Sequence, residues 1–355
     1  MNGACEQSVL WTSGTDGYDT YRIPAIIVTT RGTVLAFCEG RRNSRSDTGD
    51  IDMLVKRSAD GGRTWSDQKV VWGDAGNTCG NPCPVVDRET GTVWLPMTHN
   101  LGIDHEPRII DGTSEGTRTV WVTASEDDGR TWRELRNITA TAKRPEWTWY
   151  ATGPGNGIQL SSGRLLIPCD HIEAGTKRYY SHVVYSDDHG ETWRLGGSTL
   201  VDQVNECCVV ELENGDVVLN TRNYDRTKRT RQVTVSGDGG MTWQDQRHDE
   251  TLIEPICQAA LIRYPDKGDR LLFSNPANRE ERRNLTVRLS GNGGRSWLHE
   301  RVLHPGPAAY SSLAVLPDGT AACLYERGED HSYETITLAR FDLEWMMDGC
   351  GAGGR

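Results

Sequence analysis

The chain has 355 residues, room for one large all-β domain or two ordinary ones. With 36% hydrophobic content, 39 glycines and 12 tryptophans it favours many short strands and turns over helices. A net charge of −11 argues against a nucleic-acid partner, which needs a basic footprint, and no apolar run approaches the roughly 18 residues of a membrane span.

Residues 1–10 lack a basic stretch followed by an apolar one, so no secretory signal is read there. The compartment is therefore expected to be extracellular or periplasmic if a leader has been trimmed, and cytoplasmic otherwise. The predicted strands then recur in a fixed context, each opened by a turn dipeptide ending in glycine. TVLAF follows Arg31-Gly32, TVWLP follows Thr90-Gly91, RLLIP follows Ser162-Gly163, DVVLN follows Asn214-Gly215, DRLLFS follows Lys267-Gly268 and TAACLYE follows Asp318-Gly319. Glycine there supplies the positive φ of a tight hairpin. The six glycines lie 59, 72, 52, 53 and 51 residues apart, which predicts an all-β fold, a six-bladed β-propeller of four-stranded antiparallel blades.

A second repeat, S-x-D-x-G-x-[TS]-W, ends an alternating strand each time. It runs Ser58 to Trp65 around Asp60, Ser125 to Trp132 around Asp127, Ser186 to Trp193 around Asp188 and Ser236 to Trp243 around Asp238. A degenerate copy, Ser290 to Trp297, carries Asn292. The physics is that of a turn: the carboxylate accepts backbone N–H bonds and the Trp packs the turn onto its blade, so these aspartates are read as structural. The last blade has no such box. Its final strand, 334–341, is predicted to pair with the N-terminal segment and so remove an exposed edge, and one short helix is expected over 343–347. Ten cysteines include no paired CxxC set. They read as buried thiols with room for one or two disulfides, and neither metal nor cofactor is expected.

Between the boxes stand further landmarks: Tyr21-Arg22-Ile23-Pro24, Glu39-Gly40-Arg41 with the polar loop to Asp47, Asn205-Glu206-Cys207, Thr221-Arg222-Asn223, Arg282-Arg283-Asn284-Leu285, Ala309-Tyr310-Ser311 and Leu324-Tyr325-Glu326. Taken with the interleaved boxes, this order over residues 20–326 resembles the Asp-box (BNR-repeat) sialidases, bacterial exo-α-sialidases most of all. The likeness spans nearly the whole chain. It implies a single catalytic propeller over 1–355, with its first landmarks near 20 and its last blade ending near 345. The implied substrates are sialylated glycoproteins, glycolipids or oligosaccharides.

The resemblance implies the site residue by residue. Arg22, Arg222 and Arg282 would hold the substrate carboxylate, since a planar guanidinium fork pairs with it bidentately and stays charged. Arg279 and Arg283 compete with Arg282, which is chosen for its place two residues before Asn-Leu. Tyr310 would be the nucleophile, a neutral phenol that the neighbouring carboxylate does not repel, with Glu206 as its base. Asp47 would be the general acid/base, with Asp50 and Asp52 as alternatives. Arg41 would orient Asp47 or touch the carboxylate, and Glu326 would hold Arg22. Trp149 and Tyr150 are expected to line the N-acetyl or glycerol side. The same residues would suit trans-sialylation, release of an anhydro sugar or a deaminated sialic acid, and the boxes alone would suit a non-catalytic carbohydrate-binding propeller. Linkage preference and oligomeric state are not read.

Overall fold

The computed structural model describes residues 5–265 and 268–347; Lys267 of the fifth turn dipeptide and Cys350 lie outside them. Strands dominate, and they pair in consecutive antiparallel groups. The first comprises Thr20–Val28, Val34–Arg41, Ile51–Ser58 and Lys69–Trp72. Val85–Val86, Val93–Asn100, Thr119–Ser125 and Arg136–Asn137 form the next, joined to the first through Thr78–Gly80. Both Trp147–Thr152 and Ile158–Gln159 lie on Leu165–Glu173, followed outward by Tyr179–Ser186 and Arg194–Ser198.

Val204–Glu211, Val217–Asn223, Thr230–Ser236 and Gln244–Ile253 make an isolated four-stranded sheet. The 17-residue strand His299–Val315 then serves two groups. Its first half completes Ala260–Arg263, Leu271–Pro276 and Arg283–Ser290. Its second half opens a last group with Ala321–Arg327, Thr335–Phe341 and the N-terminal Cys5–Thr12. The predicted pairing of the final strand with the N-terminal segment is therefore present: Cys5 faces Phe341 and Thr12 faces Thr335. A strand that would otherwise offer a free edge is covered.

The turn glycines behave as their spacing requires. Gly32, Gly91, Gly163, Gly215, Gly268 and Gly319 all have φ between 77° and 96°. Each box serine, Ser58, Ser125, Ser186, Ser236 and Ser290, is the last residue of its strand. In the fourth box Ser236 Oγ donates to Asp238 Oδ1 at 2.7 Å and accepts the Gly240 amide at 2.8 Å, while Asp238 takes the amide and hydroxyl of Thr242 at 2.9 and 2.7 Å. These bonds outweigh the effect of burial and hold the Asp238 carboxyl at about 2.

Apolar residues fill the seams between successive groups, not the two faces of one sheet. Trp94 and Val122 of the second group pack with Ile167 and Trp193 of the third. Leu54 and Val34 of the first group pack with Leu10, Leu324 and Leu338 of the last. Strands such as Val34–Arg41 are consequently buried along their whole length, without alternation. Around the centre, side-chain amides tie strands that share no ladder. Asn156 Nδ2 donates to the carbonyls of Ile26 and Leu313 at 2.9 and 3.0 Å, and Gln258 Nε2 to those of Pro154 and Ser311 at 3.0 and 2.9 Å.

Helix is sparse. The expected helix at the chain's end is present as α3 (Leu343–Met347); α1 (Glu106–Asp111) and α2 (Thr139–Ala142) carry no strong helical pattern and come from long connections. The nine described cysteines are free thiols, all buried but Cys5.

Candidate active site

At one end of the central strands a polar cavity of about 120 Å³ is lined by Arg22, Arg41, Arg118, Arg222 and Arg282 together with Glu39, Asp47, Glu106, Asp170 and Glu206; Tyr310, Trp149 and Tyr224 are among its other wall residues. The residues named from sequence come from distant parts of the chain: Arg22, Glu206, Arg222 and Tyr310 from strands, Asp47 and Arg282 from connections between strands.

Arg22 sits at a bulge near the start of Thr20–Val28, where Ile23 adopts φ 59°. A β-branched residue in that region is costly, so the surroundings must over-determine it. Glu326 does so. Its carboxylate accepts Arg22 Nε at 3.1 Å, the Ile23 amide at 2.8 Å and the Tyr310 amide at 3.0 Å. One buried carboxylate thus fixes an arginine, a strained backbone and the tyrosine's strand.

The phenol of Tyr310 donates to Glu206 Oε1 at 2.6 Å. Arg222 Nη1 donates to Glu206 Oε2 at 2.5 Å and to the Tyr310 oxygen at 3.0 Å. Glu206 and Arg222 lie on the hairpin partners Val204–Glu211 and Val217–Asn223, where Cys207 faces Thr221. Burial pushes the Tyr310 phenol well above its ordinary range and Glu206 adds to this; Arg222, Arg282 and Arg22 oppose it.

Asp47 lies in the loop after Val34–Arg41. Its Oδ1 is 2.8 Å from Arg41 Nη1 and 3.2 Å from Arg22 Nη1. Burial alone would raise this carboxyl, but Arg41 and then Arg22 hold it at about 2. Arg41 is braced in turn by Glu39 at 2.6 Å and by the Arg45 carbonyl at 2.8 Å. The alternatives face elsewhere: Asp50 is 3.7 Å from Arg42 Nε, and Asp52 accepts Tyr18 and Arg42 at 2.7 and 2.6 Å. Arg282, not Arg283, enters the cavity; Arg283 is half-exposed and 3.5 Å from Glu281. Arg279 meets Arg226 through its backbone carbonyl, away from the cavity wall.

Of the two aromatic residues expected to line the cavity, only Trp149 does, with the Arg118 guanidinium 4.0 Å above its ring. Tyr150 corrects the expectation. It is wholly buried between Trp147 and His182, because neighbours on a strand point to opposite faces and Tyr150 takes the core side.

Sequence reasoning missed Arg118, Glu106, Asp170, Asn81, Tyr224 and Tyr333. Tyr224 follows Thr221-Arg222-Asn223 by one residue, and a search two residues beyond each landmark would have found it. Asp170 is fully buried, accepts Asn205 Nδ2 at 2.8 Å and has its carboxyl pushed well up by burial, with Glu206 adding. Arg118 donates to Thr98 at 3.0 Å and to Asn81. Glu106 arrives on α1, and burial raises its carboxyl. No motif marks these three, since tertiary packing alone brings them to the cavity.

Residues 32–323 match the family model described as a BNR repeat-like domain. A sialidase of Micromonospora viridifaciens is 37% identical over 96% of this chain, which spans 54% of that relative's length. An exo-alpha-sialidase of Aspergillus fumigatus is 32% identical, with 94% of this chain and 86% of the relative covered. Among solved structures, the Hadza microbial sialidase Hz136 superposes with a TM-score of 0.84 at 31% identity, covering 93% of this chain and 67% of that one. The chain thus spans about half the length of the Micromonospora relative.

Proposed function

The chain belongs to the BNR-repeat sialidases, and on that premise we propose that it is an exo-α-sialidase, a single six-bladed propeller over residues 1–355 that removes terminal α-ketosidically linked sialic acids from glycoproteins, glycolipids or oligosaccharides. The observation that carries this reading is the Tyr310–Glu206 contact at 2.6 Å with Arg222 touching both partners. A buried phenol with a high proton affinity is a poor nucleophile until a carboxylate takes its proton, and the hydrogen bond to Glu206 supports that role for it. The six-bladed closure is supported by the spacing of the turn glycines and by the packing of the last group against the first.

In the proposed reaction Arg22, Arg222 and Arg282 grip the substrate carboxylate. Tyr310 gives its proton to Glu206 as its oxygen bonds to the anomeric carbon through an oxocarbenium-like transition state, and the departing glycosidic oxygen takes a proton from Asp47. Asp47, now a carboxylate, takes a proton from water. The resulting hydroxyl displaces the tyrosine oxygen with net retention, and Glu206 returns the phenol's proton. Arg41 holds Asp47 and Glu326 holds Arg22.

The test is release of 4-methylumbelliferone from its sialoside, with the sugar product identified by mass spectrometry. The wild type is expected to liberate free sialic acid, and Tyr310→Phe to lose turnover by on the order of 10³-fold or more. A folded wild type silent across pH 4 to 8, or a Tyr310→Phe variant with undiminished turnover, would overturn the proposal.

A further inference from the structure

Each of two arginines assigned to the substrate carboxylate already has an acidic partner: Glu326 lies 3.1 Å from Arg22 and Glu206 lies 2.5 Å from Arg222. Arg282 differs. Among the described residues its guanidinium is held by neutral oxygens, Nη1 donating to the Tyr333 phenol at 3.0 Å and Nη2 to the Ile256 carbonyl at 3.1 Å. Tyr333 also reaches the other side of the site. Its ring lies 4.1 Å beneath the Arg22 guanidinium and packs against the cluster that holds Ile23 and Tyr310.

From this we propose that Tyr333 is a positioning residue for the carboxylate clamp, setting the spacing of Arg22 and Arg282 without neutralising either; the inference rests on the reading of those arginines given above. Arg22 is already countered by Glu326 and Asp47, whereas Arg282 has no carboxylate partner among the described residues. An acidic spacer would hold them in place but compete with the incoming carboxylate. A tyrosine avoids that conflict, because its π face attracts the Arg22 guanidinium and its oxygen accepts from Arg282 while the charge of Arg282 stays available to substrate.

The loop that carries Tyr333 is built to present it. The Glu334 carboxylate accepts the amides of Glu329, Asp330 and His331 at 3.1, 2.8 and 3.0 Å. Ser332 Oγ donates to the Arg282 carbonyl at 3.1 Å, and Ser13 Oγ donates to the Tyr333 carbonyl at 2.7 Å. Ile256, the second partner of Arg282, holds φ 55°, a strained conformation for a β-branched residue that its surroundings must over-determine.

The experiment measures kcat and KM on an aryl sialoside for Tyr333→Phe, Arg282→Lys and the double variant, with Tm recorded for each. Tyr333→Phe keeps the ring under Arg22 and removes the acceptor of Arg282. KM should rise roughly ten-fold with kcat within about two-fold, and the double variant should be no worse than Arg282→Lys alone. Tyr333→Leu, which also removes the π face, should raise KM further. If Arg282→Lys raises KM but Tyr333→Phe does not, or if their effects simply add, the role of Tyr333 is wrong and the clamp stands. If Arg282→Lys leaves KM unchanged, the assignment of Arg282 falls and the role of Tyr333 falls with it.

Discussion

Asp47 is held in the free site by Arg41 at 2.8 Å and Arg22 at 3.2 Å, and its carboxyl stays ionised down to about pH 2. A group in that state has no proton to give. The proposed reaction therefore needs substrate to change it, and the same contacts provide a route. A substrate carboxylate arriving at Arg22 competes with Asp47 for that guanidinium and adds a negative charge nearby, and both effects raise the aspartate's proton affinity. Binding of a sialic acid analogue near pH 5 should therefore draw protons from solution, up to about one per site, and Asp47→Asn should abolish the uptake. Calorimetry in buffers of differing ionisation enthalpy measures this directly; an uptake of zero in the wild type would mean that Asp47 keeps its free-state affinity in the complex.

At the scale of elements, the box turns are closed hydrogen-bonded units distant from the cavity. Ser236 is fully buried and both accepts from Gly240 and donates to Asp238. Ser236→Ala removes that oxygen and leaves the Gly240 amide unsatisfied. It should cost about 1–2 kcal/mol of stability, seen as a lower urea midpoint, with kcat and KM unchanged. A loss of activity in the folded variant would give the boxes a role that their geometry does not support. Sequence made these turns legible because each is local: the Ser, Asp, Gly, Thr and Trp that build one stand together in a single short motif, and local bonds leave a local pattern.

Across the whole molecule, His171 and His182 form a buried pair whose Nδ1 atoms lie 3.0 Å apart, with His171 stacked on Trp147 at 3.5 Å. Burial, aided by Arg144 and Lys143, lowers His171 to about 3. Burial, with His171 and Arg144 adding, lowers His182 well below its ordinary value. Both enter the fold neutral, whereas in the unfolded chain they protonate near pH 6.5, so the unfolded state binds more protons as acid is added. Stability should therefore fall from about pH 6.5 toward about pH 3, each histidine contributing at most ~1.4 kcal/mol per pH unit. Urea midpoints measured from pH 7 to 4 should show this slope, and replacing His182 by Asn should flatten it. An unchanged slope in that variant would place the acid sensitivity elsewhere.

The repeat of turn glycine and box was readable in the chain itself, because it depends on neighbours within a few residues and on a period repeated along it; the pairing of the last strand with the first segment was expected from the last group's lack of a box and the need to cover its edge. Tyr310, Glu206, Asp47 and the three arginines were named through the family resemblance of their motifs, and they line one cavity. Folding alone decided which of Trp149 and Tyr150 meets the cavity, since one residue of register exchanges wall for core. It also decided the arrival of Arg118, Glu106 and Asp170, and the place of Tyr333 between Arg22 and Arg282. These residues share no motif. Contacts at the site span distances along the chain such as the 304 positions between Arg22 and Glu326. Such convergence comes from the packing of successive groups of strands against one another, and contacts made across those distances leave no period in the sequence to read.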